Sequence, residues 1–144
     1  MNYKEDLSRF LDAQKSDYSA ALNEIQEGRK RSHWMWYIFP QMAGLGRTET
    51  SRHYAIKSLN EATQYLAHPV LGERLVEITE ALLSLSTHDA HAIFGSPDDM
   101  KLKSSMTLFS LVPAAPPIFD QVIDTYFEGE KDEKTLRLLN LTGA

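Results

Sequence analysis

A histidine and two tryptophans, His33-Trp34-Met35-Trp36, stand directly after the cationic run Arg29-Lys30-Arg31 and shortly before Gly44-Leu45-Gly46-Arg47. No other stretch gathers side chains so suited to chemistry. An imidazole near neutral pH serves as general base or acid. Indoles cover apolar or ring-shaped groups, and guanidinium and ammonium groups hold phosphate or carboxylate oxygens. From Arg29 to His53 there are five Lys/Arg against one acid, Glu49, so the segment is formally +4 in a chain of net charge −5. A basic, aromatic block in an acidic chain points to a local site for an anionic ligand.

Each of these residues also has a purely structural explanation. Nearby positive charge and burial would both favour neutral His33, a usable base; the same burial describes a core histidine whose nitrogens are satisfied by neighbours. If residues 33–39 are helical, His33 and Tyr37 lie one turn apart and Trp34 and Trp36 diverge; in a strand the two indoles share a face. Either tryptophan equally suits the core. Gly44 and Gly46 let backbone N–H groups approach an anion that Arg47 or Arg52 would clamp, and an ordinary turn uses the same glycines. Asp99, Lys103 and Thr107 are spaced by four on one helix. A lysine one turn from a hydroxyl holds phosphate oxygens, whereas an Asp99–Lys103 pair would make this a solvated face.

The candidate site therefore has Trp34 or Trp36 and Tyr54 as walls, with Gly44 and Gly46 at the turn. Arg47 and Lys103 sit on the charge, Gln41 and Ser104 give orientation, and His33 is the group for proton transfer. No cofactor is expected. Nor is a metal: His88 and His91 are three apart without a third ligand nearby, and no His-Glu-x-x-His pattern occurs. The chain also lacks a P-loop, the dinucleotide glycine fingerprint and a Gly-x-Ser-x-Gly elbow.

The elements that must position these residues read as helices. With 144 residues the chain is the size of one domain, 1–144, able to bury roughly 70% of its unfolded surface. It has no cysteine, so packing alone must hold it, and a cytoplasmic location fits. The polar N-terminus and the lack of an apolar run near ~20 residues predict a soluble protein without a membrane span. A pI near 5.5 argues against binding duplex nucleic acid.

Leu7, Phe10, Leu11, Tyr18, Ala21, Leu22 and Ile25 recur at helical steps, predicting a helix from Lys4 to Glu27 stopped by Gly28. His33 to Phe39 is short and apolar all round, strand or helix, and Pro40 ends it. After a loop, Thr50 or Ser51 caps a helix through Leu66, closed by His68-Pro69. Further helices are predicted over 69–85, 89–94, 97–111, 118–127 and 132–139. Ser96 is the expected cap of the helix over 97–111 and Pro97 its first residue; Asp132 is the expected cap of the last. No alternating strand pattern is present, so the fold class is all-α.

The block Lys30-x-Ser32-His33-Trp34-Met35-Trp36-Tyr37-Ile38-Phe39-Pro40-Gln41 carries a resemblance. So do Gly44-Leu45-Gly46, Tyr54-Ala55-Ile56, His68-Pro69-x-Leu71-Gly72, Phe94-Gly95, Ser104-Ser105-Met106-Thr107-Leu108-Phe109 and Tyr126-Phe127-x-Gly129. Through these motifs nearly the whole chain resembles the bacterial family catalogued as domain of unknown function 1810. The resemblance implies a compact multihelical fold with buried central helices, which tips residues 33–39 towards a buried helix. It implies no reaction, substrate or partner. Two functions stay open: a pocket for a small anionic, phosphate-bearing, nucleotide-like ligand, with His33 acting in a hydrolase or transferase; or a non-enzymatic interaction module. In the latter the aromatic block is structural and the acidic face near Glu73, Glu77 and Glu80 meets an unknown protein partner.

Overall fold

The computed structural model describes residues 5–141 as nine helices, with no strand among the described residues. The first, α1 (Ser8–Gln26), buries Phe10, Gln14, Ala21, Glu24 and Ile25. It starts later than its apolar spacing predicts; Lys4 lies outside the described residues and Leu7 holds the N-cap. Its end is as expected: Gly28 takes φ +79°. The Gly28 N–H then donates to the Ile25 carbonyl at 2.8 Å and the Arg29 N–H to the Glu24 carbonyl at 3.0 Å.

The aromatic block resolves as one helical turn, α2 (Met35–Ile38), with Met35, Tyr37 and Ile38 buried. At helical spacing the two tryptophans diverge, as the helical alternative requires. Trp34 is only 1% exposed, whereas Trp36 is half-buried at the surface.

The single helix expected from Thr50 or Ser51 to Leu66 is instead two, α3 (Glu49–His53) and α4 (Leu59–Ala67). Each has its own cap. Thr48 Oγ1 accepts from the Ser51 N–H at 3.1 Å and Ser58 Oγ from the Glu61 N–H at 3.1 Å, while Glu61 Oε1 accepts from the Lys57 N–H at 2.7 Å. Between them Ile56 pairs with the chain before α3: its N–H donates to the Gln41 carbonyl at 2.8 Å and its carbonyl accepts from Ala43 at 2.7 Å. Arg9 satisfies the carbonyls that the break frees, donating to His53 at 2.7 Å and Ala55 at 2.9 Å, and its guanidinium pairs with buried Glu61 at 3.1 Å. The partner that breaks the helix therefore comes from more than forty residues earlier, outside any local pattern.

The remaining helices follow the predicted order: α5 (Leu71–Leu83), α6 (Ala90–Phe94), α7 (Asp98–Ser110), α8 (Ile118–Phe127) and α9 (Glu133–Leu141). His68 does more than close α4, since its Nδ1 accepts from Val70 and Leu71 N–H groups at 3.1 and 3.2 Å and so caps α5. Ser96 does not cap α7; Pro97 occupies the N-cap itself, and the first turn carries Asp98 and Asp99. Asp132 caps α9 as expected, accepting from the Thr135 N–H at 3.0 Å and hydroxyl at 2.6 Å.

α7 is the buried central helix. Leu102 and every residue from 104 to 109 are buried, with α4, α6, α8 and α9 packed around it. A helix buried on nearly all sides shows little amphipathic stripe. α5 joins this layer to α1. Among the described residues, no helix is long and apolar enough to cross a membrane.

Candidate functional site

Three separated stretches meet at one open cleft of about 730 Å³: residues Gln41 to Ser51, the exposed flank of α7, and residues 130–137 at the start of α9. Thr107 holds the last two together, its hydroxyl accepting from the Asp132 N–H at 2.9 Å while donating to the Lys103 carbonyl at 2.8 Å. Six Lys/Arg line the cleft against Glu130, Asp132 and Glu133, a formal excess of +3. Lys101 lies 3.4 Å from Asp98, Lys103 3.0 Å from Glu130 and Lys131 3.3 Å from Asp120. Arg47, Lys134 and Arg137 meet no carboxylate among the described residues. The Lys101 ammonium also sits 4.8 Å from the centre of the Trp36 ring, a cation–π contact on the cleft wall.

Of the residues singled out in the sequence, Trp36, Gln41, Gly46, Arg47, Lys103 and Ser104 line this cleft together. Gly46 is needed for close approach: a Cβ there would lie 2.4 Å from Ser51 Oγ. Gly44, by contrast, turns away with φ +103°, facing the Leu138 side chain. The Ser51 amide that the loop would offer to an anion is already taken by Thr48. The expected Asp99–Lys103 pair is replaced by longer-range partners, since Asp99 lies 3.5 Å from His91 and Lys103 turns to Glu130.

Trp34 is core. Its indole N–H donates to Glu24 at 3.0 Å, and its ring packs near Phe39 and Phe94. Glu24 also accepts from the Arg31 N–H at 2.6 Å, the Ser32 N–H at 2.9 Å and the Ser32 hydroxyl at 2.6 Å. One carboxylate thus moulds the whole approach to α2. Burial alone would raise its pKa, but the donors from Ser32, Arg31 and Trp34 outweigh it and hold the carboxyl down to about 2.

His33 is exposed, not buried as its apolar neighbours suggest. Two of the three cations before it are paired: Lys30 lies 2.8 Å from Asp98, and Arg31 pairs with Glu27. His33 opens on a second, shallower hollow of about 640 Å³, shared with Trp36, Tyr37, Glu49, Thr50, His53 and Tyr54. Tyr54 is thus a wall of this hollow, not of the cationic cleft. Its ring meets His53 at 4.6 Å and Tyr37 at 5.1 Å between centroids. Burial, with the hydrogen bond to Asp17, pushes the Tyr37 phenol above its ordinary range, so it keeps its proton.

Most of the cleft's charge comes from residues outside the basic block. Of the block's five cations only Arg47 reaches the cleft; Lys101, Lys103, Lys131, Lys134 and Arg137 come from the second half of the chain. A signal existed, for Lys134 and Arg137 are spaced by three and share a face of α9, with Lys131 just before its cap. Among the described residues no group of three or more His, Asp or Glu is placed to hold a metal ion. His88 packs against Tyr126 and His91 faces Asp99.

A family model described as protein of unknown function (DUF1810) matches residues 4–139. Among solved structures, the crystal structure of the conserved hypothetical protein Rv1873 from Mycobacterium tuberculosis is 44% identical. It aligns over 94% of this chain and 96% of that one, with a TM-score of 0.92. No curated protein matches the chain.

Proposed function

The chain belongs to the family of proteins of unknown function DUF1810; from that premise, with no activity inherited, we propose that it binds a small phosphate-bearing anion in the cationic cleft. One observation carries this: Arg47, Lys134 and Arg137 converge on the cleft from two distant parts of the chain without a carboxylate partner among the described residues. Bringing like charges together costs free energy that a bound anion recovers. The volume suits a small ligand. Arg47 and Arg137 supply planar donors for phosphate oxygens, Trp36 an apolar wall, and Gln41 and Ser104 orienting polar groups. A cytoplasmic location and a single domain belong to the same proposal, resting on a cysteine-free chain with one continuous core.

If the ligand is turned over, by hydrolysis or group transfer, His33 is the proposed proton-transfer group, and the reacting atoms lie on its side of Trp36. Full activity in His33→Ala would remove that role. Binding itself is tested by thermal shift with inorganic phosphate, pyrophosphate and nucleotides. A ligand at ~100 times its Kd stabilises by about 2.7 kcal/mol, and Arg47→Ala together with Arg137→Ala should abolish the shift. No shift in the wild-type protein at millimolar concentrations overturns the proposal.

The acidic side of α5 favours a second function. Glu73, Glu77 and Glu80 are exposed around a hollow of about 500 Å³ floored by Leu66, Val76 and Pro116, a surface suited to a basic protein partner. Charge reversal of the three glutamates should then abolish capture of that partner and leave anion binding intact.

A further inference from the structure

The cationic cleft and the His33 hollow have one lining residue in common, Trp36. The short helix α3 runs between them and serves both, Thr48 and Ser51 facing the cleft while Glu49, Thr50 and His53 face the hollow. Their chemistries are complementary. All six Lys/Arg belong to the cleft; no Lys or Arg lines the hollow, whose one formal charge is Glu49. An anionic group therefore has no place in the hollow. A flat, uncharged ring does: Trp36, Tyr54 and His53 offer aromatic surface, and Thr50, Glu49 and His33 offer polar atoms to its edge. The aromatic surface is held in place in advance, Tyr54 being fixed by edge-on His53 at 4.6 Å and by Tyr37 at 5.1 Å.

We infer that cleft and hollow are two subsites for one ligand, a phosphate monoester whose alcohol carries an aromatic heterocycle, with a nucleoside 5′-monophosphate as the simplest member. The phosphate lies among Arg47, Lys103 and Arg137, and the ring lies in the hollow against Trp36 and Tyr54. The sugar crosses the width of one indole. This rests on the phosphate-binding cleft proposed above and goes beyond it by naming what the phosphate is attached to. It also places the ring beside His33, which the cleft alone leaves without a substrate atom to meet.

Isothermal titration of the protein with inorganic phosphate and with adenosine 5′-monophosphate tests the inference. The monophosphate should bind at least roughly tenfold more tightly than phosphate, the scale of one base–aromatic contact. In the double variant His33→Ala/His53→Ala that advantage should shrink severalfold while phosphate affinity stays as in the wild type. Should that variant melt early, Thr50→Trp, which fills the hollow from an exposed position, should give the same loss. Arg47→Ala should weaken both ligands. Equal affinity for phosphate and the monophosphate overturns the two-subsite inference and leaves the cleft standing. So does a ring advantage that survives both hollow variants. Binding of neither ligand overturns the cleft proposal and this inference with it.

Discussion

The Lys103 ammonium lies 3.0 Å from the Glu130 carboxylate at the edge of the cationic cleft, and the two side chains differ sharply in setting, 12% exposed for Lys103 and 77% for Glu130. Glu130 thus occupies, from solvent, the position from which an incoming anion would reach Lys103. Its carboxylate competes with the ligand for that cation. Glu130→Gln removes the competitor and one negative charge from the lining. A unit charge at about 4 Å is worth about 1 kcal/mol in water, so phosphate affinity should rise roughly fivefold. Stability should change by less than about 1 kcal/mol, because the carboxylate that is removed stands in solvent. Titration calorimetry beside a denaturant melt reads both, and an unchanged Kd would show that Lys103 is not held back by Glu130.

Two tryptophans one residue apart should behave as opposites. Trp34 is buried, with its N–H on Glu24; Trp36 forms the wall between cleft and hollow. Truncating Trp34 to Ala should cost ~3–5 kcal/mol, the range for buried aromatic residues, and free Glu24 of one donor besides. Truncating Trp36 should cost about 1–2 kcal/mol, since part of its area is already in water, and should reduce ligand affinity. Urea melts of the two variants give the comparison. A loss at Trp36 as large as that at Trp34 would mean its role is packing.

This pair also shows what was legible beforehand. Periodicity left the segment strand or helix, and only a helix makes the tryptophans diverge; which of them is buried was not readable either, because the deciding contact is with Glu24 on another helix. The all-α class and most helices were legible because caps, glycine stops and apolar stripes are local. The division between α3 and α4 was not, since Arg9 and the Met42–Ile56 bridge supply its reason from far along the chain. The site was half-legible for the same cause. Gln41, Gly46 and Arg47 sit in the conspicuous block, whereas Lys134 and Arg137 enter the cleft only because Thr107 and Asp132 dock α9 on α7.

Gly72 lies in the first turn of α5, where replacing glycine by alanine ordinarily stabilises a helix by about 1 kcal/mol. Here the sign should invert. A Cβ at this position would stand 1.9 Å from the Leu66 carbonyl oxygen and 2.8 Å from its carbon, both backbone atoms of α4 that no rotamer change can move aside. Gly72→Ala must push α4 and α5 apart, at about 1–3 kcal/mol as for other overpacked positions, and should lower Tm by several degrees. A scanning melt of the variant beside wild type decides it; an unchanged or raised Tm would mean the two helices do not pack this closely in solution.

Glu24 should make the fold acid-labile over a defined window. Its carboxyl has an ordinary pKa of 4.5 and is held at about 2 in the folded protein, so the folded state favours the ionised form. Its contribution to stability is therefore complete above pH 4.5 and is lost progressively as pH falls from there towards 2. The difference corresponds to about 3 kcal/mol, large against the 5–15 kcal/mol of a typical domain. Glu24→Gln should remove this part of the pH dependence. It should also weaken the protein near neutrality, because an amide presents one acceptor and two donors to the four donors that Arg31, Ser32 and Trp34 direct at the carboxylate. Urea unfolding free energies of both proteins at pH 7, 5, 4 and 3 provide the check. Parallel curves would mean that some other carboxylate governs acid unfolding. Converging curves would place the acid sensitivity in the segment that leads into Trp34 and positions Trp36.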